Sequence, residues 1–365
     1  MRITSLLAAV VVCGLLTPRL AAQDEGKSKS WFETVTVNGF VSTGFTYNLN
    51  EPDTGRNMFR VFDGAHNTFT LDVFELSFKR DAAERGDAGY RLDLAGGASI
   101  PPLTRSAGFT GGDIDVQQMY VTWMAPLGNG LKIDVGKFVT PLGWEVIEGH
   151  DGWNDNYSRS FLFGYAIPFT HTGLRAGYAF SPSFSLACFV VNGWDLAVDN
   201  NASKSLGAQV FLSPVDGLSV YANAISGPEQ SGNNSDTRSV FDFSAAYSIS
   251  GSLTIAANAD FGSEAVPNSS ESVAWSGFAG YLRYMPCEMF AVSLRGEMFD
   301  DTDGSRTGVA QKLTGITVTP EYRPAKGLVI RMDLRMDTSD KTVFQKAGEY
   351  TDSQTTIGLN LLYVY

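Results

Sequence analysis

Histidine is nearly missing from this chain: His66, His150 and His171 are the only three in 365 residues. A hydrolase nucleophile needs a base beside it. No serine lies two residues from any of these imidazoles and no glycine-flanked nucleophile elbow occurs, so an enzyme is not expected. Cysteine is equally scarce. Cys13, Cys188 and Cys287 show neither zinc-ligand spacing nor a disulfide framework, and small apolar strand or turn positions account for the last two. Basic residues are in deficit, 27 against 39 acidic ones, which argues against a nucleic-acid surface. Long apolar runs are missing too: none reaches the ~18 residues of a membrane helix.

One apolar stretch stands apart at the start. Arg2 supplies a positive end, Ile3 to Leu16 a short greasy run, and Leu20, Ala21 and Ala22 a small-residue cleavage region, so residues 1–22 read as a secretory signal peptide. Val12 before Cys13 is a poor fit to a lipoprotein cleavage site. Cleavage leaves 25 basic and 39 acidic residues, since Arg2 and Arg19 depart. Residues 23–33 then form a polar N-terminal segment, expected on the periplasmic side.

What the chain has in abundance is alternation. Val35, Val37, Val41, Phe45 and Tyr47 share one face while Thr36, Asn38, Ser42 and Thr46 share the other, the pattern of a strand with one apolar and one wet side. It recurs at Phe69 to Arg80, with a phase shift near Phe74 that implies a bulge, and then through fourteen further segments ending at Thr355 to Tyr365. Short turns such as APLGNG, SPS, SPVDG and RPAKG trade places with longer polar loops. Short turns on one side and long loops on the other describe an all-β, transmembrane antiparallel β-barrel of about 16 strands over residues 34–365.

A soluble β-sandwich also alternates, but it would have to bury its charged faces. Arg91 and Asp93, Lys132 and Asp134, Arg175, Arg283, Arg295 and Glu297, Arg331, Asp333 and Arg335 stand at mid-strand opposite the apolar sets. Sixteen strands enclose a lumen too wide for side chains alone to fill, where such charges meet water. Leu328, Ile330, Met332 and Leu334 face the outer-membrane lipid instead. The final alternation Ile357, Leu359, Leu361, Tyr363, Tyr365 resembles the terminal strand read by the barrel assembly machinery.

Between the fifth and sixth strands the alternation stops. Pro141 to Phe169 carries Trp144, Trp153, Tyr157, Phe161, Phe163, Tyr165 and Phe169, more aromatic surface than a solvated linker leaves in water. It is expected to fold inward as a constriction loop, with Thr140 and Pro141 starting one short helix and Asn154 or Asp155 capping a second. Glu145, Glu148, Asp151 and Asp155 would then stand near the axis, facing Arg91, Lys132, Arg175, Arg283, Arg295, Arg331 and Arg335 across a narrow field, with a mild cation preference. The alternative places the four carboxylates in solvent, facing outward. Asp300, Asp301, Asp303 and Gly304 form an incomplete acidic loop, so Asp301 and Asp303 are at most a weak calcium candidate.

Several runs carry a family resemblance. VQQMYVTWMAPLGNGLKIDVGKFVTPLGWEVIE at Val116 to Glu148, NYSRSFLFGYAIPFTHTGLRAGY at Asn156 to Tyr178, VVNGWDLAVDNN at Val190 to Asn201, GPEQ at Gly227 to Gln230, RGEMFDDTDGSRTG at Arg295 to Gly308 and TVTPEYRP at Thr317 to Pro324 resemble the OmpL-like β-barrel porin family, from about Val37 to Tyr365. The resemblance implies an outer-membrane channel and brings no catalytic motif. No cofactor is expected. The reading is passive or weakly selective diffusion of small hydrophilic solutes or ions; a non-conducting surface barrel acting as adhesin or structural protein is the competing class. Association into a homotrimer is left open.

Overall fold

The computed structural model describes residues 34–100 and 114–365. The expected signal peptide and the segment 23–33 lie outside the described residues. Strands follow in chain order: β1 (Thr36–Asn48), β2 (Thr68–Arg80), β3 (Ala88–Gly96), β4 (Ile114–Ala125), β5 (Leu131–Val139), β6 (Thr170–Ser181), β7 (Phe184–Val191), β8 (Ser205–Leu212) and β9 (Leu218–Pro228). The second half holds β10 (Thr237–Ser250), β11 (Leu253–Ala265), β12 (Ser272–Cys287), β13 (Phe290–Asp301), β14 (Gln311–Ala325), β15 (Leu328–Ser339), a small hairpin β16 (Phe344–Lys346) and β17 (Glu349–Thr351), and β18 (Ser353–Val364).

Sixteen of these close into one antiparallel barrel, with β15 pairing β18 and β18 sealing against β1 from Phe40–Val364 to Asn48–Thr356. The expected strand count therefore holds; the β16–β17 hairpin in the last long loop is the addition. The bulge lies where the phase shifted: Ser42 faces Val73 and Thr43 faces Leu71, so Asp72 is the extra residue. Short turns use glycine where the backbone turns left-handed, at Gly217 (φ 80°) in SPVDG and Gly327 (φ 80°) in RPAKG, conformations that cost a side-chain-bearing residue.

The barrel is inside out relative to a soluble protein. On β13, Leu294 is 43% exposed while its neighbour Arg295 is fully buried, and the same alternation runs along β14, β15 and β18. Lipid covers the outer set in the outer membrane. Toward the short-turn end, ring pairs Phe180–Phe184, Phe290–Tyr322 and Tyr363–Tyr365 stack on one another, as aromatic girdles do at a membrane interface.

The lumen is not simply a wet pore. Phe40, Phe138, Phe189, Trp275, Phe299 and Leu313 point inward and pack with Phe161, Leu162, Phe163 and Ile167 of the long loop in one apolar cluster. Side chains alone could not fill the width; a folded segment of backbone does.

Candidate functional site

The segment from Thr140 to Phe169 leaves β5 and crosses the barrel. Neither expected helix forms. Thr140 Oγ1 accepts from Leu142 N–H in a tight local turn and bonds the His171 imidazole, so its hydroxyl starts a turn and no helix. Asn154 brackets Val146, accepting from its N–H at 2.8 Å and donating to its carbonyl at 2.9 Å. The one helical element of the segment is a π turn at Leu162–Ala166, well beyond both expected starts. The tertiary reason is plain: the loop's polar groups are spent on the wall, and helical hydrogen bonds would withdraw them.

Each of the four expected carboxylates meets a wall arginine directly. Glu145 pairs with Arg295 at 2.7 Å, Glu148 with Arg331 at 3.0 Å, Asp151 with Arg91 at 2.6 Å and Asp155 with Arg283 at 2.9 Å. The expected field across open water is thus replaced by contact ion pairs, and the outward-facing alternative fails for Glu145 and Glu148, which are buried. Arg335 reaches the loop through the Arg159 carbonyl at 2.5 Å while pairing with Glu297 and Asp337. Lys132 and Arg175 do not face the loop carboxylates; both are held by Asp134 on β5, at 3.6 and 2.7 Å.

Burial works to raise the Glu148 carboxyl, but Arg159 and Arg331 outweigh it and hold the group below its ordinary range. Burial likewise opposes ionisation of Asp151 and is overcome by Arg91. Asp155 differs: burial raises it, and Arg283 offsets only part of that. The two ends of the ion-pair row are therefore unequal in strength.

Asp333 and Glu297, expected only as inward charges, also hold the loop, and Glu75 and Arg60 join them without a sign in the spacing. Asp333 accepts from the backbone N–H groups of Tyr157 (3.0 Å) and Ser158 (2.8 Å), and Glu297 from Phe161 N–H. Glu75 accepts from His150 N–H at 2.7 Å and pairs with its ring. A second inward loop, Leu49 to Asn67, sends Arg60 to Asp63 and, at 2.9 Å, to Asp337, and packs Phe62 against Phe163, Phe169 and Arg159. Its own cluster Met58, Phe59, Val61, Phe62 was the available signal. Wall glycines leave room for the loop: a Cβ at Gly44 would lie 2.1 Å from the Tyr157 hydroxyl, and one at Gly358 2.9 Å from its ring.

The weak calcium candidate is otherwise engaged. Asp301 accepts from Arg306 N–H, Thr307 N–H and the Thr307 hydroxyl, closing its own loop, and Asp303 accepts from Ala274 N–H. Among the described residues no group of three or more His, Cys, Asp or Glu is placed to hold a metal ion.

A closed sixteen-stranded barrel with a lipid-facing apolar skin and a charged interior crossed by a loop defines an outer-membrane channel of the porin class. The chain belongs to the family described as "Putative beta-barrel porin-2, OmpL-like", whose model matches residues 34–364. Among solved structures it resembles the outer membrane channel DcaP of Acinetobacter baumannii, at 13% identity, TM-score 0.64, covering 91% of this chain and 97% of that one. It also resembles an anion-selective porin from Comamonas acidovorans, at 12% identity, TM-score 0.63, covering 91% and 99%. The trimer form of the outer membrane protein OmpT of Vibrio cholerae follows at 14% identity, TM-score 0.60, covering 91% and 99%. At these identities the likeness is one of fold. Among curated proteins none matches the chain.

Proposed function

We propose that this porin is a restricted channel, in which the stapled loop narrows the lumen and small hydrophilic solutes pass on the side where the loop is least attached. The observation that carries this reading is the set of four ion pairs, Glu145–Arg295, Glu148–Arg331, Asp151–Arg91 and Asp155–Arg283, which fixes the loop inside the barrel. Beside it lies a cavity of about 240 Å³, with Glu75, Arg91, Gln117 and Gln118 on the wall side and the apolar Leu142, Val146, Ile147 and Phe163 on the loop side, of the size of a small solute. Its charged lining is of both signs. Because the loop carboxylates are neutralised by arginines, the mild cation preference expected from the net acidic chain gives way to weak selectivity of either sign.

Single-channel recording of the purified protein in a planar bilayer tests the reading. Small, steady conductance steps with a reversal potential near zero in a salt gradient support it; a folded barrel that does not conduct would make the protein a surface barrel with a structural or adhesive role. The trimer form of the OmpT neighbour supports association into a homotrimer, to be checked by light scattering in detergent. The alternating outward row Ile357, Leu359, Leu361 and Tyr363 on β18 supports recognition of this strand by the assembly machinery; removing Tyr365 should then slow membrane insertion in cells.

A further inference from the structure

The wall at β10 and β11 carries two carboxyl groups that no ion pair uses. Asp242 and Asp260 are direct cross-strand partners, both fully buried, and directly opposed side chains of an antiparallel pair leave the strands with Cβ atoms about 4.5 to 5.5 Å apart. Their surroundings differ. Asp242 is supplied with donors, Asn223 Nδ2 at 2.6 Å on one oxygen and Asn258 Nδ2 at 2.6 Å on the other. Among the described residues neither oxygen of Asp260 has a hydrogen-bond donor.

Among the described residues no ion pair engages either of them. On their own strands the next charged groups are Arg238 and Glu264, four residues outward and paired with each other. From β9 comes Asn223, and from β12 Gly277, the register partner of Asp260, with Leu162 of the loop resting on it. The nearest loop carboxylate in the row, Glu145, is tied to Arg295. Two ionised carboxylates side by side, out of water and without a counter-charge, are not a stable arrangement. A calcium ion takes about six to eight oxygen ligands and magnesium a nearly complete octahedron, whereas only the two oxygens of Asp260 are free here. The cation that needs the fewest ligands is a proton.

We propose that Asp242 and Asp260 hold one proton between them, with Asp260 the protonated donor and Asp242 the ionised acceptor, and that this pair anchors the first turn of the loop. The link to the loop is a chain of amides. Asn258 Oδ1 accepts from Trp144 N–H at 3.3 Å, and Gln209 Nε2 donates both to Asn223 Oδ1 at 2.9 Å and to the Pro141 carbonyl at 3.1 Å. Asp242 sits at the middle of this chain, and its single negative charge orients both asparagines. Asp260 keeps that charge single by supplying the third donor.

Two substitutions that each exchange one carboxyl group for an amide separate the roles. In Asp260→Asn an amide N–H replaces the O–H, so conductance and open-channel noise stay at wild-type values. In Asp242→Asn one of the two asparagine donors meets an NH₂ group, the chain breaks, and the loop's equilibrium toward displaced states rises roughly fivefold, as for loss of one ordinary hydrogen bond, seen as added open-channel noise. The infrared difference between wild type and Asp260→Asn at neutral pH, which does not depend on conduction, should contain one protonated-carboxyl band that shifts in deuterium oxide and is unmoved by chelator. Absence of that band, its appearance only after chelation, or equal noise in the two variants overturns the proposal. Should Asp242→Asn fail to fold, the infrared difference decides alone.

Discussion

The two sides of the lumen treat the loop differently. On the wall from β12 to β15, Arg283, Arg295, Arg331, Arg335, Asp333 and Glu297 all bind it, through carboxylates or backbone groups. On the wall from β4 to β8, the basic residues Lys132 and Arg175 turn to Asp134, and Gln209 reaches the loop with one bond to the Pro141 carbonyl. A buried arginine with a buried carboxylate is expensive to separate, because either partner left alone is an uncompensated charge in low dielectric. The loop is thus pinned off-centre on β12 to β15 and held again at Glu75 of β2 and Arg91 of β3, and the cavity lies between that second hold and the weakly engaged wall at β4 and β5.

The largest effect should come from breaking the pinned side. Arg331→Ala leaves Glu148 buried without one of its two partners, and a loss of about 3 to 5 kcal/mol is expected for a buried pair cut in this way, measured by denaturant unfolding in detergent. A loss under about 1 kcal/mol, the value of a solvated pair, would mean that the two walls do not differ as described.

The next contrast is between the barrel's two surfaces. Leu294→Arg, on the lipid face, should cost about 2 to 4 kcal/mol near the bilayer midplane. Ser293, the neighbouring inward position, is no tolerant control, because it is buried and receives a bond from Arg283 at 3.3 Å, so an arginine there meets a like charge. Ser219, inward and only partly buried on β9, is the better control and should accept arginine with little change in refolding yield. Equal loss at Leu294 and Ser219 would refute the phase of the strands.

Overpacking sharpens the picture at one point. Gly358→Val pushes a side chain into the Tyr157 ring and should cost about 1 to 3 kcal/mol while raising conductance noise, whereas Gly296, with open space around its Cβ position, should accept alanine silently. Identical behaviour of the two would show that Tyr157 does not occupy its slot.

Acid gives the mildest test. The Glu148 carboxyl is held below its unfolded range, so its contribution is present above that range, which begins near pH ~4.3, and is lost as pH falls through the lower folded value. Loop release should therefore appear only below about pH 4, and the part carried by this residue should vanish in Glu148→Gln. Release already at pH 6 in the wild type and not in Glu148→Gln would reverse the sign assigned to this group.

Much of this was legible in the chain itself. Period-two alternation located sixteen strands because one face must meet lipid, and the aromatic density of Pro141 to Phe169 showed that the segment packs inward. Arginines at mid-strand identified one side of each ion pair. What remained hidden was set by register and depth. Nothing in the spacing couples Glu145 to Arg295, 150 residues apart, and the Thr140–Pro141 signal is common to helix starts and to the turn that forms. Alternation places Asp260 on the inner face, but it cannot tell that water is excluded there. Arg60 was overlooked because Leu49 to Asn67 reads as an ordinary polar loop until its aromatic cluster is counted.

If the loop narrows the pore, deleting Trp144 to Phe161 must widen it. The deletion removes Glu145, Glu148, Asp151 and Asp155 and leaves Arg91, Arg283, Arg295 and Arg331 without their loop partners, so single-channel conductance should rise and the reversal potential should move toward anion preference. A deletion variant that folds, judged by heat-modifiable migration, and conducts as the wild type with unchanged reversal potential would place the loop outside the solute path.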